Sequence, residues 1–233
     1  MRREAAIAAL VAGRADAITI TTEQAIGAWR AVVPERANEI PDHLDIVGCM
    51  GSASTIGLGI ALAQPERKVI VVDGDGSLLM QLGSLVTIAG AAPANFYHFV
   101  FENGVYETSG SQPLPAEGRF NLYEMARAAG YAHSLQFDDA DAFGSALPGL
   151  LNRRGPVFVS VRTEPEDGFL VRSSAGTRLD LQMHALRERL VGSIGPGKLF
   201  SPKGTRLAAD GSTARSSSPE GTLSAGDESS AVS

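Results

Sequence analysis

Gly74-Asp75-Gly76-Ser77, with 26 residues between Gly76 and Asn103, carries the most legible chemistry in this chain. The run before it, Lys68-Val69-Ile70-Val71-Val72-Asp73, is apolar enough to be a buried parallel strand. The run after it, Ser77 to Leu85, reads as a helix. The glycines therefore form a strand-to-helix turn, where the backbone can approach a ligand and free N–H groups face an anion. Asp75 adds a carboxylate at the same point. A carboxylate and a diphosphate repel unless a divalent cation lies between them. Mg²⁺ suits both, because it takes carboxylate and phosphate oxygens in octahedral geometry. The next apolar run, Asn95 to Phe101, reads as the neighbouring strand and leads to Asn103. Two adjacent strands would then deliver Asp75 and Asn103 to the carboxyl edge of one sheet, where open α/β sheets bind ligands.

The elements needed to hold that edge recur along the chain. Helices are expected over about 2–12, 23–32, 54–63, 122–129 and 140–151, and strands over 17–21, 44–47, 132–137 and 156–162. The stretch from Asn103 to Phe120 has no period and reads as a loop. This alternation implies an α/β fold, a doubly wound parallel sheet flanked by helices. A last helix, Arg178 to Val191, carries Leu179, Met183, Leu186 and Leu190 on one face. From 196 to 233 the chain is rich in Ser, Gly, Ala and Thr, without a period. This divides it into a domain, 1–195, and a disordered tail, 196–233.

The sequence resembles the diphosphate-binding domain of thiamine diphosphate enzymes. Gly-Asp-Gly, a spacer of about this length and then Asn is that family's signature. A second match is Val47-Gly48-Cys49-Met50-Gly51, followed by the small-residue run Ser52 to Ala63. In the family this turn holds the aminopyrimidine ring through the Gly carbonyl and the Met N–H, while the Met side chain supports the bent cofactor. The resemblance thus assigns cofactor contacts to Gly48, Met50, Gly74, Asp75, Gly76, Ser77, Asn103 and Val105. It assigns the metal to Asp75, Asn103 and the carbonyl of Val105. Helix–sheet packing alone could account for Gly57 and Gly59.

The loop after Asn103, through Tyr106, Thr108-Ser109-Gly110-Ser111-Gln112, is similar to that of phosphonopyruvate decarboxylase and the sulfopyruvate decarboxylase beta subunit. The resemblance covers roughly residues 2–165. It implies a thiamine diphosphate- and Mg²⁺-dependent lyase that removes carbon dioxide from an anionic 3-substituted pyruvate and releases the aldehyde. Thr108, Ser109, Ser111 and Gln112 are the candidate donors to the anionic tail; a polar surface loop is the alternative for them. The same resemblance leaves open an acetolactate synthase-like carboligase, a 2-oxo acid oxidoreductase component, and a non-catalytic cofactor-binding chain.

Two departures matter. The first loop, Thr21-Thr22-Glu23-Gln24-Ala25, has Glu23 where Gly is expected beside the diphosphate. Either Glu23 is a first-turn helix residue or cofactor affinity is altered. The family's catalytic glutamate, which protonates the pyrimidine, belongs to a different domain. One α/β domain leaves no room for it, so no catalytic residue is expected on this chain. The glutamate is expected on a separate pyrimidine-binding subunit in a hetero-oligomer.

The remaining features exclude more than they assign. Net charge is −6, which gives no basic footprint for nucleic acid. A single cysteine, Cys49, excludes an internal disulfide framework and fits a cytoplasmic location. No apolar run reaches membrane-spanning length, and Glu4 to Val11 reads as an amphipathic helix rather than a signal peptide. No Gly-x-Gly-x-x-Gly unit points to a nicotinamide cofactor. Among the histidines, His98 lies in an apolar strand and reads as core, His43 could face the cleft, and His133 and His184 read as structural or exposed.

Overall fold

A computed structural model describes residues 1–33, 42–116, 118–166 and 179–191. Its central sheet has six parallel strands: β1 (Ile18–Thr22), β2 (His43–Ile46), β3 (Val69–Gly74), β4 (Phe96–Glu102), β7 (His133–Phe137) and β8 (Val157–Arg162). Their order is β2-β1-β3-β4-β8-β7. A small hairpin, β5 (Val105–Tyr106) and β6 (Gln112–Pro113), stands apart from the sheet. The expected doubly wound α/β fold is present.

The strands are apolar on both faces because helices cover both. Period-two alternation sorts the side chains. Ile70 and Val72 of β3, with Tyr97 and Phe99 of β4, pack beneath α1 (Arg3–Gly13), α2 (Gln24–Val32) and α7 (Ala140–Leu150). Val69 and Val71, with Phe96 and Val100, pack beneath α3 (Ala53–Ala63), α5 (Ser84–Ala91) and α6 (Leu122–Ala129). Gly57 lets α3 sit close to the sheet, since a Cβ there would lie 2.5 Å from Val71 Cγ2. Gly59 plays no such part: its Cβ would meet nothing within 4 Å.

Three expectations are corrected. The helix expected over Ser77 to Leu85 is two helices, α4 (Asp75–Met80) and α5, broken at residues 81–83. Gln81 leaves helical geometry at φ −139° and gives its N–H to the Leu78 carbonyl. The segment from Asn103 is not plain loop, since it folds into the β5–β6 hairpin around the 3-10 turn Glu107–Ser109. On α8 (Leu179–Val191) the inward face carries Gln182 and Leu186, while Met183 is 41% exposed. The expected disordered tail lies outside the described residues.

Gln182 is buried because β2 is an edge strand with unsatisfied backbone. Its amide accepts from the Asp45 N–H at 3.0 Å and donates to Asp45 Oδ2 at 3.2 Å. Asp45 also accepts from Thr21 Oγ1 at 2.8 Å and from Arg30 at 2.8 Å, and its Oδ1 lies 3.0 Å from His43 Nε2. Trp29 stacks on His43 with centroids 5.0 Å apart. His43 is therefore a core residue of this edge and does not line the cleft described below.

Candidate functional site

The chain runs from β1 outward to β2, then returns to β3 on the other side of β1. The turns after β1 and β3 consequently splay apart at the carboxyl edge. This is the topological switch point where open α/β sheets hold ligands. A cleft opens there, lined by Thr22, Glu23 and Gln24 after β1, by residues 73–77 after β3, and by Asn103, Val105 and Tyr106 after β4.

Asp75 is the first residue of α4 and only 4% exposed. Its Oδ1 accepts from the Gly76 N–H at 2.7 Å and its Oδ2 from the Gly104 N–H at 2.8 Å. The carboxylate thereby ties the turn after β3 to the turn after β4. Burial pushes its pKa up to about 6, against the pull of the Gly104 and Gly76 N–H groups and with the help of nearby Glu102. A buried carboxylate with a raised pKa in a cleft marks a functional-site candidate. Asn103 Oδ1 accepts from the Val105 N–H at 3.0 Å. Leu114 gives its N–H to the Gly104 carbonyl, so the next pair, Val105 and Pro113, is a non-hydrogen-bonded pair and the hairpin ladder does not use the Val105 carbonyl. Asp75, Asn103 and Val105, which carry a carboxylate, an amide oxygen and a carbonyl, all line the cleft.

The glycines shape the same place. A Cβ on Gly74 would meet nothing within 4 Å, so the backbone there lies bare toward a ligand. A Cβ on Gly76 would strike the Tyr106 ring at 2.6 Å, so only glycine lets the hairpin close over the turn. Ser77 Oγ accepts from the Gly51 N–H at 2.9 Å and couples this turn to the one before α3. That second turn needs its glycines too: Gly48 and Gly51 have φ of +72° and +86°. A Cβ on Gly51 would fall 2.8 Å from Gln81 Cβ, at the break between α4 and α5. Met50, between them, lines the cleft, whereas Gly48 is exposed and is not among the lining residues.

Of the four loop donors, Thr108 alone lines the cleft; Ser109, Ser111 and Gln112 are exposed on the hairpin. Cys49 is exposed. His98 is fully buried, with Nδ1 3.3 Å from the Tyr131 hydroxyl and Nε2 3.5 Å from Asp73 Oδ2.

Several cleft residues escaped the sequence. Arg3, from the start of α1, makes a buried ion pair with Glu107 at 2.7 Å and fastens the loop after Asn103 to the first helix. The signal is faint, because Arg3 and Glu107 lie more than a hundred residues apart. Glu23 proves to be the residue before α2 rather than its first turn, and its side chain makes no cap hydrogen bond.

This fold and cleft are those of an open α/β sheet with a ligand crevice at its topological switch point. The family described as thiamine pyrophosphate enzyme, C-terminal TPP binding domain, matches residues 25–161, and the chain belongs to it. A phosphonopyruvate decarboxylase of Streptomyces hygroscopicus is 43% identical over 123 residues, 53% of this chain and 30% of that protein. The sulfopyruvate decarboxylase subunit beta of Methanothermobacter thermautotrophicus is 43% identical over 125 residues, 54% of this chain and 64% of that one. The match thus spans under a third of the first relative and just under two thirds of the second. The crystal structure of benzoylformate decarboxylase from Polynucleobacter necessarius superposes with a TM-score of 0.57 at 20% identity, covering 71% of this chain and 34% of that one. At that identity the likeness speaks to fold alone.

The residues present fit the family's cofactor. Bare backbone at Gly74 and the start of α4 suit a phosphate. The carboxylate, amide oxygen and carbonyl of Asp75, Asn103 and Val105 suit a hard divalent cation that shares its shell with phosphate. Among the described residues no cluster of three or more His, Cys, Asp and Glu could hold a metal by itself. No helix of the described residues is long and apolar enough to cross a membrane.

Proposed function

We propose that this chain is the diphosphate-binding half of a thiamine diphosphate- and Mg²⁺-dependent decarboxylase for an anionic 3-substituted pyruvate, sulfopyruvate or phosphonopyruvate. The observation that carries the reading is Asp75, buried in the crevice and held between the Gly76 and Gly104 N–H groups. Asp75, the Asn103 amide oxygen and the Val105 carbonyl would hold Mg²⁺. The N–H groups at the start of α4 would meet the diphosphate. Gly48 and Met50 would seat the pyrimidine end. The cofactor, when bound, supplies the carbanion stabilisation that 2-oxo acid decarboxylation needs.

The chain's own residues orient and enclose. Ser77 fixes the spacing between the Met50 turn and the diphosphate turn through the Gly51 N–H. Tyr106, packed on Gly76, closes the cleft on the hairpin side. Thr108 is the hydroxyl on this wall for a substrate's anionic tail. The substrate class is supported by the two named relatives above. A separate subunit bearing the pyrimidine-side glutamate is supported by the subunit name of the second.

Co-expression with a chain carrying a pyrimidine-binding domain tests the reading. Carbon dioxide release is assayed from sulfopyruvate, phosphonopyruvate and pyruvate. Release from an anionic substrate by the pair, and little by this chain alone, is expected. Equal turnover by this chain alone would sink the split site. Acetolactate formation from pyruvate would move the assignment to carboligation.

A further inference from the structure

Glu23 is built at a cost that packing does not explain. It joins β1 to α2 with φ 50° and ψ −127°, a backbone region that L side chains rarely adopt. It gains no capping bond in return. It lines the cleft on the wall that faces the Gly74–Ser77 turn across the switch point. One carboxyl oxygen, Oε1, is wholly buried and has no hydrogen-bond partner among the described residues. Strain and an unpartnered buried polar atom at one residue point from structure to function.

We propose that Glu23 is a cofactor-contacting residue whose neutral carboxyl donates a hydrogen bond to a phosphate oxygen of the diphosphate seated between the turns after β1 and β3. The proposal rests on the cofactor reading above. A charged carboxylate at this point would repel the diphosphate, whereas a protonated one offers the donor that a phosphate oxygen accepts. Burial, and then the charge of Asp73, push the Glu23 pKa up, the direction the neutral form requires. The Glu23 carbonyl accepts from the Ile26 N–H at 3.1 Å and is turned into α2 rather than toward a ligand.

The test is calorimetric titration, with thiamine diphosphate at saturating Mg²⁺, of the complex of this chain with its co-expressed pyrimidine-binding partner, with the melting temperature of each ligand-free complex. Glu23→Gln keeps an uncharged donor and should bind within about threefold of the wild type. Glu23→Ala removes it and should bind about tenfold more weakly or worse, the scale of one hydrogen bond to a charged group. Glu23→Gly should weaken binding likewise while raising the melting temperature, because glycine relieves the positive φ. A Gln variant as weak as the Ala variant overturns the proposal. So does any of the three variants binding as tightly as, or more tightly than, the wild type, Gln within threefold excepted. Asp75→Ala separates the two claims: if it alone loses binding, the cofactor site stands and the role of Glu23 falls. No binding by the wild type would overturn the cofactor reading and this proposal with it.

Discussion

Asp45, on the edge strand β2, and Asp75, at the start of the helix after β3, are both buried, and the fold treats them in opposite ways. Asp45 is met by Thr21, His43, Arg30 and Gln182. Burial alone would raise its pKa, but the bonds and charges of His43 and Arg30 outweigh that and hold it at about 2. Asp75, at the central crevice, is met by two backbone N–H groups and no cation, and burial carries it up to about 6. The first carboxylate is satisfied by the chain; the second is left for something the chain does not contain. Nearby Glu23 shares that condition, since its Oε1 is buried without a hydrogen-bond partner among the described residues. A buried carboxylate met by side-chain donors and cations holds an edge together, while one that lines a cleft with a raised pKa is a candidate for binding.

The largest effect expected from breaking this contrast is on stability. Asp45→Ala takes the carboxylate away from Arg30 and His43 and should cost about 3–5 kcal/mol, the scale for removing one partner of a buried ion pair. Denaturant unfolding measures it. The surviving folded fraction should bind cofactor with unchanged affinity, because this network does not line the cleft. A comparable stability loss in Asp75→Ala would erase the distinction between the two sites.

A smaller effect follows from protons. The folded pKa of Asp45 lies below its ordinary value near 3.8. Its ionisation therefore adds stability that is complete above about pH 4 and is lost as pH falls through about 2. The amount is on the order of 2 kcal/mol. Unfolding followed from pH 5 to pH 2 should show this loss in the wild type, and less of it in Asp45→Asn. An identical pH profile in the variant would remove Asp45 as the cause.

The smallest concerns Asn103. Its amide also shapes the turn through the Val105 N–H, so Asn103→Ala should weaken Mg²⁺-dependent cofactor binding about tenfold, roughly 1.4 kcal/mol, without abolishing it. Calorimetry at fixed Mg²⁺ reads the change; an affinity equal to the wild type would take Asn103 out of the ligand set.

Much of this was legible in the chain because period and punctuation carry it. The run from Val69 to Val72 reads as a buried parallel strand, and Gly74 and Gly76 as the junction from that strand to a helix, where β3 ends and α4 begins. The break at residues 81–83 was hidden, since Leu82 continues an apolar run that looks helical. At the break Gln81 packs against Gly51, thirty residues earlier in the chain, a contact that no local pattern encodes. The inward place of Gln182 was hidden for a similar reason. Apolar spacing favoured Met183, but the unsatisfied backbone of an edge strand needed an amide. The Arg3–Glu107 pair depends on which helix end meets which loop, and no local pattern encodes that. Glu23 was visible as an anomaly of residue type, while its positive φ and orphaned oxygen belong to the fold alone.

The central claim is that Asp75 waits for a cation shared with a diphosphate. Titrating the complex of this chain and its pyrimidine-binding partner with thiamine diphosphate, with and without Mg²⁺, in wild type and Asp75→Ala, tests it most directly. The account predicts saturable binding by the wild type that falls at least about a hundredfold without Mg²⁺ or without the carboxylate, about 2.7 kcal/mol or more. Binding that is indifferent to both Mg²⁺ and Asp75 would contradict it.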